Sequence, residues 1–201
     1  MSVRSQRACL SDFHDRMSIS QSNYQCDVVN LWGMELRNKV KESSLIQMDL
    51  ANFKPMIPVI PIDLSSQLWK GLVLKEKDFR IWIKENDWLS YKNKGVYIFC
   101  STEAIIPTWA YMLVTSQLIG IADTFVIGDE LALQKSMILK NIHALNLEEF
   151  KDERVIIKGC SDIQEPEFAM SELLAFLQPH VKSIMYGEPC STVPIFKRKK
   201  L

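Results

Sequence analysis

Four short runs in the second half of the chain are apolar at every position: Val96-Tyr97-Ile98-Phe99, Phe125-Val126-Ile127, Val155-Ile156-Ile157 and Ile184-Met185-Tyr186. A strand with one wet face alternates apolar and polar residues. A run without alternation fits a strand covered on both faces, as in a parallel sheet flanked by helices. The stretches between the runs read as helices. Pro107 suits the first turn of a helix through Leu118, which Gly120 would end. Glu130 to Leu145 follows with Asp129 as N-cap. Pro166 opens a third, with Met170, Leu173, Leu174 and Leu177 at i, i+3, i+4 and i+7. Strand and helix in alternation call for right-handed crossovers and an α/β fold.

The strands end at Cys100, Asp129, Cys160 and Cys190, at spacings of 29, 31 and 30 residues. Each spacing is about one strand-helix unit. The intervening helices share no pattern, so this reads as repeated architecture without sequence repetition. The expected fold is α/β, with a mostly parallel sheet of about four strands, flanking helices and a less regular N-terminal α+β section. Residues 34–201 form a single domain on this reading, with 34–94 irregular and 95–201 built of strand-helix units.

Upstream, Leu45 to Leu50 reads as a strand. Pro55, Pro58 and Pro61 confine Lys54 to Ile62 to an edge or extended segment, because proline lacks a ladder donor. Phe79, Trp82 and Ile83 make Glu76 to Glu85 an amphipathic helix. Residues 1–33 are rich in Ser, Gln, Arg and Asp without apolar period and read as a flexible leader outside the fold. Met34 is then expected to be the natural initiator.

Charge sets the function classes. The 201 residues carry 24 Lys plus Arg against 24 Asp plus Glu, which argues against a dedicated nucleic-acid binder. No apolar run reaches the roughly 20 residues of a spanning helix, so no membrane role is expected. Neither a G-x-x-x-x-G-K nor a G-x-G-x-x-G loop is present. There is no apolar signal segment at the N-terminus, so the expected compartment is the cytosol, where thiols stay reduced.

The five cysteines are an odd count, which fits free thiols or metal ligands better than a disulfide framework. Three sit at strand ends, each followed by Ser, and ligands in parallel sheets gather beyond the carboxyl ends of strands. Adjacent strands about 4.8 Å apart would let Cys100, Cys160 and Cys190 converge on one site. Three thiolates suit an iron–sulfur cluster or zinc, with Asp129 a candidate fourth ligand. Helix capping is the commoner role for Asp129, and the chain has no C-x-x-C pair. One alternative is a thiol-dependent enzyme or persulfide carrier with Cys100 as its nucleophile and Glu103 or Glu188 as proton-transfer groups. The other is an interaction module whose cysteines pack in the core.

Several longer motifs carry a resemblance. Gly71-Leu72-Val73-Leu74-Lys75-Glu76-Lys77-Asp78-Phe79-Arg80, Asp87-Trp88, Cys100-Ser101 with Ile106-Pro107-Thr108-Trp109-Ala110-Tyr111-Met112, Lys158-Gly159-Cys160-Ser161 and Ser183 through Pro194 together resemble the bacterial domain-of-unknown-function family 2480, over about Met34 to Lys200. The resemblance implies an accessory role beside iron–sulfur cluster assembly proteins as partners. Cys100, Cys160 and Cys190 match its cysteine motifs, whereas Cys9 and Cys26 fall outside the matched region. It also implies a start near Met34.

Overall fold

The computed structural model describes residues 45–159 and 163–199. The leader, the Met34 start and Cys160 lie outside them. The expected elements form where the sequence places them. Strand β1 is Leu45–Asp49 and β2 is Val59–Asp63, followed by a two-stranded hairpin of β3 (Leu68–Trp69) and β4 (Val73–Leu74). Helix α1 is Glu76–Glu85, with Phe79 and Ile83 on its buried face. Then come β5 (Gly95–Phe99), α2 (Thr108–Leu118), β6 (Thr124–Ile127), α3 (Glu130–His143), β7 (Arg154–Lys158), α4 (Pro166–Leu177), β8 (Ser183–Glu188) and β9 (Ser191–Lys197).

The α/β class and a mostly parallel four-stranded sheet are present, but the four apolar runs do not share one sheet. The four-stranded sheet runs β1-β7-β8-β9, with only β9 antiparallel. The runs at β5 and β6 belong to a second, all-parallel sheet ordered β2-β5-β6. Each sheet takes its first strand from the segment that looks irregular in sequence. Pro61 sits on the edge strand β2, as its missing donor demands. Each sheet also has its own core. One gathers Val155, Ile157, Ile184, Leu173 and Leu177; the other gathers Ile62, Val96, Ile98, Val114 and Leu118.

The two sheets are built from one repeated unit, 59 residues apart. Pro107 precedes α2 as Pro166 opens α4, and Ala110, Val114 and Leu118 correspond to Ala169, Leu173 and Leu177, all fully buried. Asn93 and Asp152 both take φ of 58°, and Gly128 and Gly187 both have positive φ. The hydrogen bonds correspond as well. The Asn93 amide donates to Ile121 O (3.0 Å) and the Asp152 amide to His180 O (2.9 Å). Asp123 N–H reaches Lys94 O (3.0 Å) where Lys182 N–H reaches Glu153 O (2.8 Å). The sheet registers agree, with Val59 opposite Gly95 in one sheet and Leu45 opposite Arg154 in the other.

The first strands follow the same rule. Asp49 ends β1 and accepts from Ala51 N–H (2.9 Å); Asp63 ends β2 and accepts from Ser65 N–H (2.9 Å). Each caps a 3-10 turn whose first residue, Leu50 or Leu64, is fully buried. One unit, 59–129, is thus inserted into the other, formed by 45–53 and 130–197. Helix α3 joins them. Its Ile138 and Ile142 enter the β7–β8 core, while Leu133 and Met137 lie against Gly95 of β5.

Candidate functional site

The carboxyl edges of the two sheets carry the residues expected to do chemistry. At the first, Asp63 Oδ1 accepts from the amides of Ser65 (2.9 Å) and Ser101 (3.1 Å), pinning the loop after β5 to the end of β2. Partial burial pushes this carboxyl up, but the hydrogen bonds from Ser101 and Ser65 outweigh it and bring its pKa from 3.8 to about 2. Cys100 is half-buried, and its Sγ lies 3.3 Å from Thr102 Oγ1. Burial, and secondarily the charge of a Cys100 thiolate, push the Tyr111 phenol above its usual range. Glu103 is exposed in the same loop.

At the second edge, Glu188 pairs with Lys158 Nζ (2.9 Å), and that hydrogen bond is the main cause of the raised Lys158 pKa. Cys190 is exposed in the tight turn between β8 and β9. Tyr186 folds over Gly159, where a Cβ would collide with its ring and hydroxyl.

The three-cysteine metal site is not supported. Its premise was that Cys100, Cys160 and Cys190 close strands of one sheet. Cys100 instead follows β5 of the three-stranded sheet, and Cys190 lies in the hairpin of the other. Among the described residues no group of three or more His, Cys, Asp or Glu is placed to hold a metal ion. Asp129 caps α3 by accepting from Ala132 N–H at 2.8 Å, the commoner of its two expected roles. The thiol-enzyme alternative has little geometry either: among the described residues the hydrogen-bond partner of Cys100 is Thr102, which is no base. The described cysteines are not core residues, since Cys100 is half-buried and Cys190 exposed. The reading in which the cysteines pack inside therefore fails for Cys100 and Cys190, while Cys160 lies outside the described residues.

What distinguishes the two units lies at their outer strands. On β8, β9 pairs antiparallel from Ser183–Lys197 to Glu188–Ser191. On β6, no strand of the described residues occupies the corresponding side. Gly128 N–H donates inward to Ile98 O (3.0 Å), so strand alternation turns the amides and carbonyls of Phe125 and Ile127 outward. Ile127 is 56% exposed. One rung is closed by a side chain: Lys140 Nζ donates to Asp123 O (2.9 Å), the position at which Lys182 O accepts from Arg198 N–H in the other unit. At the positions of α2 that match Met170 and Ser171 of α4 stand half-buried Tyr111 and Met112, which is 66% exposed. In the other unit, Met170 and Leu174 on the matching flank of α4 line an apolar groove of about 400 Å³ together with Ile195 of β9.

The edges also differ in protection. Natural edge strands carry Pro or Lys to discourage pairing with other chains. Edge strand β2 carries Pro61, and β9 carries Pro194 and ends on Lys197. Thr124-Phe125-Val126-Ile127 carries neither, and nor does the edge strand β1, Leu45–Asp49. The sequence reading missed this edge. The signal was available in the 59-residue recurrence: Ser191 to Lys197 follows the second unit as a strand, whereas Glu130 opens a helix after the first.

The comparisons with known proteins agree with the sequence motifs. Residues 34–198 match the family described as Protein of unknown function (DUF2480). The chain belongs to that family. No curated protein and no solved structure matches it. Among the described residues no helix is long and apolar enough to cross a membrane.

Proposed function

We propose that this protein acts by binding another protein, with the outer edge of β6 as its docking site, and that it performs no chemistry at its cysteines. The observation that carries this is the outward-facing backbone of Phe125 and Ile127, which no strand of the described residues covers, at the place where the equivalent strand β8 is already paired. Addition of a strand to a sheet edge is a recurrent mode of protein recognition, in which backbone hydrogen bonds give affinity and side-chain pockets give selectivity. The Tyr111–Met112 flank supplies the apolar surface for such selectivity. The balanced charge supports a protein partner over a polyanion. We place the encounter in the cytosol, which suits the free thiols Cys100 and Cys190.

A photocrosslinking residue introduced at position 127 of the full chain tests this in cells. The expected outcome is a discrete protein adduct from position 127 that is not formed from position 72, where Leu72 is also exposed. No adduct at 127, or the same adducts from both positions, would remove the docking site.

A further inference from the structure

Where the inserted unit starts and where it rejoins its host, the chain leaves a cleft of about 300 Å³. Three segments wall it: residues 54–59 between the 3-10 turn after β1 and the start of β2, helix α3, and the loop that leads into α4. Lys54 follows β1 by way of that turn, Ile163 follows β7, and β1 and β7 are parallel neighbours. The cleft thus lies beyond the carboxyl ends of two adjacent parallel strands, where ligands of α/β sheets collect. It also lies at a junction between units, a common place for small-molecule sites. We infer that this cleft binds a small aliphatic carboxylate, independently of the docking edge on β6.

The lining sets the ligand class. Val59, Met137, Ile138 and Ile163 supply apolar walls, and the last three are buried. None of these is aromatic, so they suit an alkyl body and offer no ring on which a base could stack. Gln134 and Gln164 add two carboxamides. Gln134 Nε2 lies 3.5 Å from Glu130 Oε1 one turn earlier, which engages at most one of its two N–H groups. Among the described residues the lining includes one charged side chain, Lys54, and no carboxylate. Amide donors and a cation beside apolar walls complement a carboxylate on an alkyl body, and they disfavour an amine. The walls are already fixed to their surroundings. Asn141 Nδ2 donates to Phe53 O (3.1 Å), Gly95 N–H donates to Pro58 O (2.9 Å), and Lys135 Nζ pairs with Glu165 (3.1 Å). Binding should therefore require little ordering of the protein.

The test titrates isocaproate into the methyl-labelled full chain and follows it by NMR. The inference expects saturable shifts of the Val59, Met137, Ile138 and Ile163 methyls, with a Kd on the order of 1 mM for so small a probe. Isohexylamine has the same alkyl body and the opposite charge, and it should bind at least about tenfold more weakly. Gln134 is half-buried and Gln164 exposed, so Gln134→Leu and Gln164→Leu should both fold. Each should weaken isocaproate several-fold without weakening isohexylamine, because each removes a donor to the carboxylate. No saturable shift at the four methyls would overturn the inference, as when the chain's own residues or a second copy already fill the cleft. Equal affinity for acid and amine, or wild-type affinity for isocaproate in both variants, would overturn it as well, since the cleft would then select no carboxylate.

Discussion

Two units of one fold within a single chain form a natural controlled experiment. The turns at Asn93 and Asp152 and at Gly128 and Gly187, the buried faces of α2 and α4 and the strand pairings correspond, whereas Gly120 has positive φ where Pro179 stands, Glu165 has it where Ile106 stands, and half-buried Phe125 matches buried Ile184. The chain paths part where each outer strand ends: one returns as β9, and the other leaves as α3. Among the described residues the β2-β5-β6 sheet has three strands and the other four, so the outer side of β6, where no described strand lies, is the informative difference. A lone pair of strands is marginal in water, but three parallel strands with helices on their faces are not.

The comparison is broken most forcefully in the cores. Leu118→Ala and Leu177→Ala delete equivalent, fully buried side chains, and each should cost about 2–5 kcal/mol in chemical denaturation. Because the two residues belong to separate clusters, the double variant should be near the sum. A large cost for one and none for the other would end the claim of equivalence.

A smaller effect separates the units at the position after the central strand, which is Cys100 in one and Gly159 in the other. The ring end of partly exposed Tyr186 lies over Gly159, whereas its counterpart Ile127 is more exposed. Gly159→Ala should therefore destabilise by about 1 kcal/mol, as the added Cβ pushes that ring aside. Cys100→Ala should change melting by less than about 1 kcal/mol, as expected away from a packed or liganded site. Loss of folding in Cys100→Ala would restore a structural role to that thiol.

The smallest effect is at the capping aspartates. Asp63→Asn should cost on the order of 1 kcal/mol, after discounting the shifted pKa for solvent screening. Its folded pKa of about 2 lies below the unfolded 3.8. The stabilisation is thus present above pH 3.8 and is lost as pH falls toward 2. Wild type and Asp63→Asn should converge in stability across that window, measured by acid titration of the melting temperature. A difference unchanged down to pH 2 would remove the carboxylate from the account.

Much of this fold is legible in the sequence, and the limits have a physical cause. The span of α1, Glu76–Glu85, follows from Phe79, Trp82 and Ile83, and Pro166 sets the start of α4. The parallel strands follow from runs without alternation. Sheet membership did not follow, because unalternating runs state that both faces are covered without stating which strand lies beside which. The same gap undid the cysteine site, whose premise was adjacency of β5 with β7 and β8. The recurrence of Pro107, Leu118 and Gly128 at Pro166, Leu177 and Gly187 marks the true unit, and a count in steps of about 30 residues passes over it. The open edge is harder still to read. It consists of backbone groups on Phe125 and Ile127, and their side chains look like any buried strand.

Native-state amide exchange of the isolated full chain tests the central claim most directly. With β8 paired to β9 and no described strand on the outer side of β6, the Phe125 and Ile127 amides should exchange at least about 100-fold faster than those of Ile184 and Tyr186. Comparable protection at the two pairs would show that the β6 edge is already covered, and would contradict the account.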